Sequence, residues 1–145
     1  MCKKPRVGVG ALLLKKGRVL LGKRNPNPEK ADSELHGEGT WTLPGGSMEF
    51  GEDFRDAVYR EVLEETGIKV NKDKIKLVSV TNDLAEDAHF VTLGFLCEEF
   101  DGEPEVREED IIEWKWFSLN ELPSPLFPPS EKLIRNYLEG TIWKH

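Results

Sequence analysis

Three glutamates in the middle of the chain have the residue type and spacing of a cation site. Glu61, Glu64 and Glu65 stand at positions i, i+3 and i+4, which an α-helix of about 3.6 residues per turn places on one face. Like charges at that spacing repel, so the arrangement is unfavourable unless a cation lies over it. Crowded carboxylates suit Mg²⁺ or Mn²⁺, held together with water and substrate phosphate. A solvated acidic helix face is the alternative interpretation of the same residues.

The residues before the glutamates favour the cation site. From Gly46 to Ile68 the chain carries seven acidic and two basic residues, a net charge of −5 out of −7 for the whole molecule. Phe54 and Val58 fall on nearly the same predicted helix face, within the two preceding turns. A face that changes from apolar to acidic is expected where a helix emerges from a core into a cleft.

The same stretch has the form G-x5-E-x7-R-E-U-x-E-E-x-G-U, in which U is a bulky apolar residue. The fixed positions are filled by Gly46, Glu52, Arg60, Glu61, Val62, Glu64, Glu65, Gly67 and Ile68. This pattern resembles the box of the Nudix hydrolase superfamily at every position. The flanking segments VGVGALLLKKGRVLLGKR, LPGGSMEFGE and EWKWFSLNELPSPLF resemble its MutT-like nucleoside-triphosphate diphosphatases. The resemblance implies metal-dependent hydrolysis of a nucleoside diphosphate linked to another group.

The resemblance also implies roles for single residues. The metal ligands would be Glu61, Glu64 and Glu65, with the backbone carbonyl of Gly45 completing the shell. A charge-assisted bond between Glu52 and Arg60 would tie the preceding loop to the helix. The proton of the attacking water would go to Glu61 or to a glutamate outside the box. Glu108 is the candidate outside the box, and Glu109 is the next.

Four residues are predicted to contact the substrate. Gly45 and Gly46 would let the backbone approach phosphate and metal closely, because they lack a Cβ. Arg24 matches a family position that contacts phosphate oxygens, and a guanidinium suits that task; a solvated base at a strand end is the alternative. Phe127, in a proline-rich loop, is predicted to lie against the base. Trp114 and Trp116 alternate with charged residues and are predicted to pack against the sheet.

The sequence is compatible with three functions. The leading one is hydrolysis of nucleoside triphosphates, including oxidised or modified deoxynucleotides, to a monophosphate and pyrophosphate. The alternatives are a pyrophosphatase of ADP-ribose or another nucleoside-diphosphate derivative, and a nucleotide-binding module without turnover. Asp83 stands where ADP-ribose pyrophosphatases usually have a proline, and no tyrosine lies between Tyr59 and Tyr137 to mark a dinucleoside polyphosphate hydrolase.

The elements that position these residues follow from the hydrophobic pattern. Strands are predicted at 7–15, 19–23, 41–43, 75–80, 89–96 and 111–117, and helices at 53–66 and 130–138. Residues 25–40 are predicted to form a polar surface loop. The order β-β-β-α-β-β-β-α predicts a mixed α/β fold (α+β), with a Nudix-type mixed β-sheet sandwiched between helices. Residues 1–145 are expected to form a single domain.

Composition excludes several other classes of protein. A pI near 5.1 and a net charge of −7 argue against a nucleic-acid polymer as partner. No apolar run approaches the roughly 20 residues of a membrane span, and no secretory signal is recognisable. Cys2 and Cys97 are expected to be reduced thiols, which indicates a cytoplasmic protein. His36 and His89 lack metal-ligand spacing, and the sequence leaves a homodimer open.

Overall fold

The computed structural model describes residues 4–31 and 37–143. Nine strands and two α-helices lie in these ranges. The strands are β1 (Arg6–Lys15), β2 (Arg18–Arg24), β3 (Trp41–Thr42), β4 (Gly45–Ser47), β5 (Lys69–Val70), β6 (Lys76–Ala85), β7 (Ala88–Cys97), β8 (Phe100–Asp101) and β9 (Ile111–Ser118). The helices are α1 (Phe54–Thr66) and α2 (Pro128–Glu139), and Lys72–Lys74 form a short 3₁₀ turn.

Seven strands form one mixed sheet in two parts. In the first part β1 lies between β4, which runs antiparallel to it, and β7, which runs parallel to it, and β6 pairs antiparallel with β7. In the second part β2 pairs with β9 and with β3, both antiparallel. The β1–β2 hairpin joins the parts through Lys16 and Gly17, whose φ values of 53° and 75° suit a tight two-residue turn. Strands β5 and β8 form a separate small ladder.

Alternation along β1 places one helix on each face of the sheet. Val9, Ala11 and Leu13 join a buried cluster with Val58 and Val62 of α1. Leu12, between them in sequence, joins a second cluster with Leu133 and Ile134 of α2. Because successive strand residues point to opposite faces, α1 and α2 cover opposite sides. The predicted mixed sheet between helices is confirmed.

Capping residues at both ends of α1 fix where the helix begins and where it ends. The Asp53 carboxylate accepts a hydrogen bond from the Arg55 N–H and caps the first turn. Gly67 ends the helix with a φ of 83°, and its N–H donates to the Leu63 carbonyl. Glu64 and Glu65 therefore lie in the last turn of α1, directly before its cap.

The sequence predicted the long elements closely and missed three of the four short strands. The structure adds β4, β5 and β8, and β6 continues to Ala85 instead of ending at Val80. Helix α2 starts at Pro128, two residues earlier than predicted. Trp114 and Trp116 pack against the α1-side cluster, as expected. Cys2 and His36 lie outside the described residues. No helix within these residues is long and apolar enough to cross a membrane.

Candidate active site

The three glutamates of α1 meet the glycines of β4 at one edge of the sheet. Gly46 lies directly beneath the Glu61 carboxylate, where an added Cβ would come within 2.5 Å of Oε2. The Gly45 N–H donates a hydrogen bond of 2.9 Å to Glu65 Oε2. The Glu64 side chain is 51% exposed and faces solvent. The acidic end of α1 is thus brought into contact with the glycine pair that the sequence predicted to lie there.

Arg60 links α1 to the loop that precedes it. Its Nε and Nη2 donate to the two oxygens of Glu52 at 2.7 and 2.9 Å, which makes the pair bidentate. Its Nη1 donates to Glu61 Oε1 at 2.8 Å and lies 3.4 Å from Glu64 Oε2. The hydrogen bonds from Arg60 and from the Glu49 N–H lower the pKa of Glu52 to about 2. The predicted bond between loop and helix is present, and the same arginine also orients Glu61.

Burial shifts the protonation of the carboxylates that face the cleft. Protein atoms surround the Glu65 carboxylate, and this desolvation raises its pKa well above the ordinary value, against the hydrogen bond from Gly45. Burial also raises the pKa of Glu61, although Arg60 acts in the opposite direction. Negative charges on Glu61, Asp110 and Glu108 raise the Glu65 pKa further. Burial and the neighbouring carboxylates thus both favour the uncharged form of Glu65 in this arrangement.

These residues fit a divalent metal ion by their chemistry. Among the described residues, no three carboxylate, imidazole or thiol groups converge on one point in the arrangement observed, since Glu61 is bound to Arg60 and Glu65 to Gly45. The donor set nevertheless consists of carboxylate oxygens one helical turn apart, which Mg²⁺ and Mn²⁺ prefer. The absence of side chains at Gly45 and Gly46 leaves the edge of the sheet beside them open. The role of Glu61, Glu64, Glu65 and the Gly45 carbonyl as ligands stays a prediction.

The segment before β9 contributes two further carboxylates. Glu108 is exposed, and its pKa is raised first by desolvation and then by the charges of Asp110 and Glu64. Asp110 lines the cleft beside Glu65, and its buried Oδ1 has no hydrogen-bond partner among the described residues. The backbone carbonyl of Glu109, in the same segment, accepts a hydrogen bond from Asn25 Nδ2. Glu108 was predicted from its place in the sequence, and Asp110 was not. The position of Asp110 immediately before a buried strand residue was the available signal.

A cleft of about 390 Å³ extends from this edge across the α2 face of the sheet. Its floor consists of β1 and β7 residues, including Gly8, Gly10, Phe90 and Thr92. Gly10 and Gly94 allow Leu133 of α2 to approach closely, since a Cβ on either residue would overlap its side chain. The opposite wall is formed by Arg24, Thr42, Asp110, Ile111 and Phe127. The cleft thus connects the carboxylates with an aromatic and apolar region.

Arg24 lines the cleft and also binds the backbone of Ala31 and Gly37. Its Nε donates to the Gly37 carbonyl at 2.8 Å and its Nη2 to the Ala31 carbonyl at 2.7 Å. The guanidinium carbon lies 4.7 Å from the centre of the Phe127 ring. Arg24 is buried, so the alternative of a solvated strand-end base is wrong. Contact with phosphate stays a prediction, and the contacts observed link Arg24 to Ala31, Gly37 and the Phe127 ring.

The start of α2 lines the cleft and lacks two backbone N–H donors. Phe127 is the N-cap, and prolines fill the first two helical positions. Proline has no backbone N–H, so Pro128 and Pro129 withdraw two of the donors that usually attract anions to a helix start. Ser130, the next residue, uses its hydroxyl to accept from the Leu43 N–H at 2.9 Å. The first turn of α2 therefore offers fewer backbone donors to an anion than an ordinary helix start.

Comparison with known proteins gives one consistent result. The NUDIX domain profile matches residues 4–137. The chain is 36% identical to a MutT NUDIX hydrolase from Burkholderia pseudomallei of known crystal structure, with a TM-score of 0.80 over 92% of this chain and 98% of that one.

Two curated relatives differ in the activity that their names describe. An ADP-ribose pyrophosphatase from Methanocaldococcus jannaschii is 33% identical over 97% of this chain and 76% of its own length. An NAD-capped RNA hydrolase NudC from Mannheimia succiniciproducens is 36% identical over 72% of this chain but only 37% of its own length. The match to the second relative therefore covers well under half of that protein.

Proposed function

Because this chain belongs to the Nudix hydrolase family, as a Nudix pyrophosphohydrolase, we propose that it converts nucleoside triphosphates to a nucleoside monophosphate and pyrophosphate. The observation that supports this choice is one continuous cleft, lined at the carboxylate edge by Gly45 and Glu65 and elsewhere by Phe90 and Phe127. A nucleotide with its phosphates at β4 would place its base against one of these rings. The two prolines at the start of α2 favour the same placement.

The chain's own residues perform distinct tasks in this proposal. Glu61, Glu64 and Glu65, with the Gly45 carbonyl, would hold a divalent cation, which neutralises phosphate charge and makes the phosphorus more electrophilic. Arg60 keeps Glu61 oriented through its bond of 2.8 Å and fixes the loop through Glu52. Glu108 accepts the proton of the attacking water. Its raised pKa suits a general base, because the ideal catalytic pKa lies near the working pH.

Hydrolysis of ADP-ribose is the second candidate function. It is supported by the identity of 33% to an ADP-ribose pyrophosphatase over 97% of this chain. Asp83 argues against it, because ADP-ribose pyrophosphatases usually carry a proline there. In this structure the Asp83 side chain is buried and bound to Lys132 Nζ at 2.6 Å, so the position serves a different contact.

A panel of nucleotides with Mg²⁺ tests the proposal directly. We expect pyrophosphate and a nucleoside monophosphate from triphosphates, at a kcat/KM at least tenfold above that for ADP-ribose. Hydrolysis in ¹⁸O-labelled water then identifies the bond, and the MutT-like arrangement with Glu108 as base predicts label in pyrophosphate. Formation of orthophosphate and a nucleoside diphosphate would exclude the proposed reaction. Faster release of AMP and ribose phosphate from ADP-ribose would establish the second candidate instead.

A further inference from the structure

The segment that carries Glu108 has no regular structure of its own. Residues 102–110, all within the described part of the chain, connect β8 to β9 and contain no helix or strand. Glu108 is exposed, and Asp110 is half-buried and lines the cleft. A general base must hold its oxygen within hydrogen-bond reach of the attacking water. Such a segment meets that requirement only if other parts of the chain fix its backbone.

Hydrogen bonds hold this backbone on both sides of the candidate base. On the amino-terminal side, the Glu105 N–H donates to the Thr66 carbonyl at 3.0 Å, which binds the segment to the last residue of α1. On the other side, the Asn25 N–H donates to the Asp110 carbonyl at 2.7 Å. The Asn25 side chain adds a second bond, from Nδ2 to the Glu109 carbonyl at 3.0 Å. The candidate base therefore lies between two points that are bonded to separate elements.

A β-bulge lies directly beside the bonds of Asn25. The register of β2 against β9 shifts by one residue between Lys23 and Arg24. Beyond the shift, Arg24 pairs with Ile111, and the Asn25 N–H extends this pairing to the residue before β9. Bulges disturb a ladder locally and are common next to active sites. The two bonds of Asn25 thus hold the segment at a point where the regular pairing of the sheet is disturbed.

The other two polar groups of Asn25 bind the polar loop. Its Oδ1 accepts from the Asn27 N–H at 3.0 Å, and its carbonyl accepts from the Gly39 N–H at 3.3 Å. Asn25 therefore bonds the loop with two groups and the segment before β9 with two others. The arrangement needs a donor and an acceptor on one short side chain, which an amide supplies.

The segment needs an anchor because its charge opposes its position. Besides burial, the negative charge of Glu108 contributes to the raised pKa of Glu61 and of Glu65, so Glu108 lies near the acidic end of α1. Repulsion between like charges favours movement of the segment away from the helix. The bonds of Asn25 oppose that movement.

We propose that Asn25 is a positioning residue for the reaction, since its two hydrogen bonds to residues 109–110 hold Glu108 near the carboxylates of α1. This role rests on the proposed function, in which Glu108 accepts the proton of the attacking water. Asn25 does not belong to the described residues that line the cleft, so it acts through the segment and not on the substrate. Its substitution should therefore lower kcat and leave KM nearly unchanged.

A double-mutant cycle separates this role from a purely structural one. Asn25→Ala removes the side-chain bonds to Glu109 and Asn27, and we expect it to lower kcat about tenfold with less than about a twofold change in KM. In a Glu108→Gln background, in which the base is already lost, the same substitution should change kcat by less than about twofold. A general loss of packing would lower kcat by the same factor in both backgrounds. The cycle is measured with the nucleotide that the panel shows to be hydrolysed.

Two matched variants identify which bond of Asn25 matters. Asn27→Ala removes the acceptor of the Glu29 N–H and leaves both bonds to residues 109–110, so its kcat should stay within about twofold of wild type. Asn25→Ser keeps an acceptor for the Asn27 N–H but lacks the donor to Glu109, so its kcat should fall as in Asn25→Ala. It also takes the place of Asn25→Ala if that variant does not fold. Wild-type kcat in folded Asn25→Ser would overturn the proposal.

Backbone ¹⁵N relaxation at residues 105–110 tests the anchor without turnover. Order parameters there should fall in folded Asn25→Ala and keep their wild-type values in Asn27→Ala. If no nucleotide is hydrolysed but this loosening occurs, the proposed function fails and the anchor stands. If nucleotides are hydrolysed and Glu108→Gln keeps wild-type kcat, hydrolysis stands and the positioning role is excluded. Unchanged order parameters in Asn25→Ala, or equal factors in both backgrounds of the cycle, would also exclude it.

Discussion

At the scale of single residues, the glutamates of α1 differ in surroundings although they share one sequence pattern. Glu64 is half exposed, Glu61 is bound to Arg60, and Glu65 is partly buried and accepts a hydrogen bond from the Gly45 N–H. We therefore expect equivalent substitutions to differ in their effect on stability and to have a similar effect on rate. This difference makes the set testable one residue at a time.

Glu64→Gln and Glu65→Gln are each expected to lower kcat by about two orders of magnitude or more, because each removes a charge that would hold the cation. Without metal, Glu65→Gln should raise the melting temperature, since the amide keeps an acceptor for Gly45 and removes a buried charge. Glu64→Gln should leave it unchanged. Steady-state kinetics and thermal unfolding measure both effects, with exposed Glu86→Gln as control. Near-normal turnover in both variants would refute the metal-site assignment.

Glu52 provides a prediction about pH. Its pKa is about 2 in the folded protein and 4.5 ordinarily, so its bond to Arg60 stabilises the fold above pH 4.5. That contribution is lost as the pH falls from about 4.5 toward 2. Glu52→Gln should be less stable than wild type at pH 7, and the difference should shrink across this range. Urea unfolding from pH 7 to pH 3 measures it.

Glu49→Gln is the matched control for Glu52. Glu49 belongs to the same loop, lies 3.9 Å from Arg60 and is 70% exposed, so its substitution should change stability little at any pH. A constant difference between wild type and Glu52→Gln down to pH 3 would mean that the ion pair does not stabilise the fold.

At the scale of elements, β4 shows how tertiary pairing overrides local preference. Gly45 and Gly46 have little intrinsic preference for a strand, yet pairing with Gly10 and Val9 makes them one. The sequence pattern therefore predicted the site function of these glycines but not the strand. Strands β5 and β8, two residues each, were missed because so short a segment shows no alternation.

The two glycines of β4 should respond differently to alanine. At Gly46 the added Cβ meets the end of the flexible Glu61 side chain at 2.5 Å, so the carboxylate moves aside. We expect Gly46→Ala to lower kcat/KM at least tenfold with a small change in melting temperature. At Gly45 the Cβ would overlap the backbone of Val9, so Gly45→Ala should lose about 1–3 kcal/mol of stability or more. Equal stability losses in both variants would contradict this account.

At the scale of the whole molecule, metal and fold are linked. A ligand that binds only the folded state stabilises it by about 2.7 kcal/mol at a hundredfold excess over its Kd. Millimolar Mg²⁺ with a nonhydrolysable nucleotide should therefore raise the melting temperature of wild type. Glu65→Gln should lose most of this rise. A wild-type melting curve that does not respond to Mg²⁺ under these conditions would count against the carboxylate cluster as a cation site.

The sequence was sufficient to predict the mixed α/β architecture and the position of Glu61, Glu64 and Glu65 on one helix. Helix α1 and the Glu52–Arg60 pair depend on contacts close in sequence, and a one-dimensional pattern captures those. Asp110 reaches the cleft because β9 pairs with β2, more than 80 residues away in the chain. No local sequence pattern indicates that neighbourhood. Arg24 was expected at phosphate, and its bonds to the loop became visible only in three dimensions.

Gly10 and Gly94 beneath Leu133 have a consequence for how such a protein diversifies. They let the Leu133 side chain of α2 reach the sheet, and one added methyl at either position would overlap that side chain. None of the glutamates at the β4 edge takes part in that contact. We therefore expect the shape of the cleft and the carboxylate edge to be separately mutable. A lineage could change which nucleotides fit by exchanging bulk between positions 94 and 133 while Glu61, Glu64 and Glu65 stay the same.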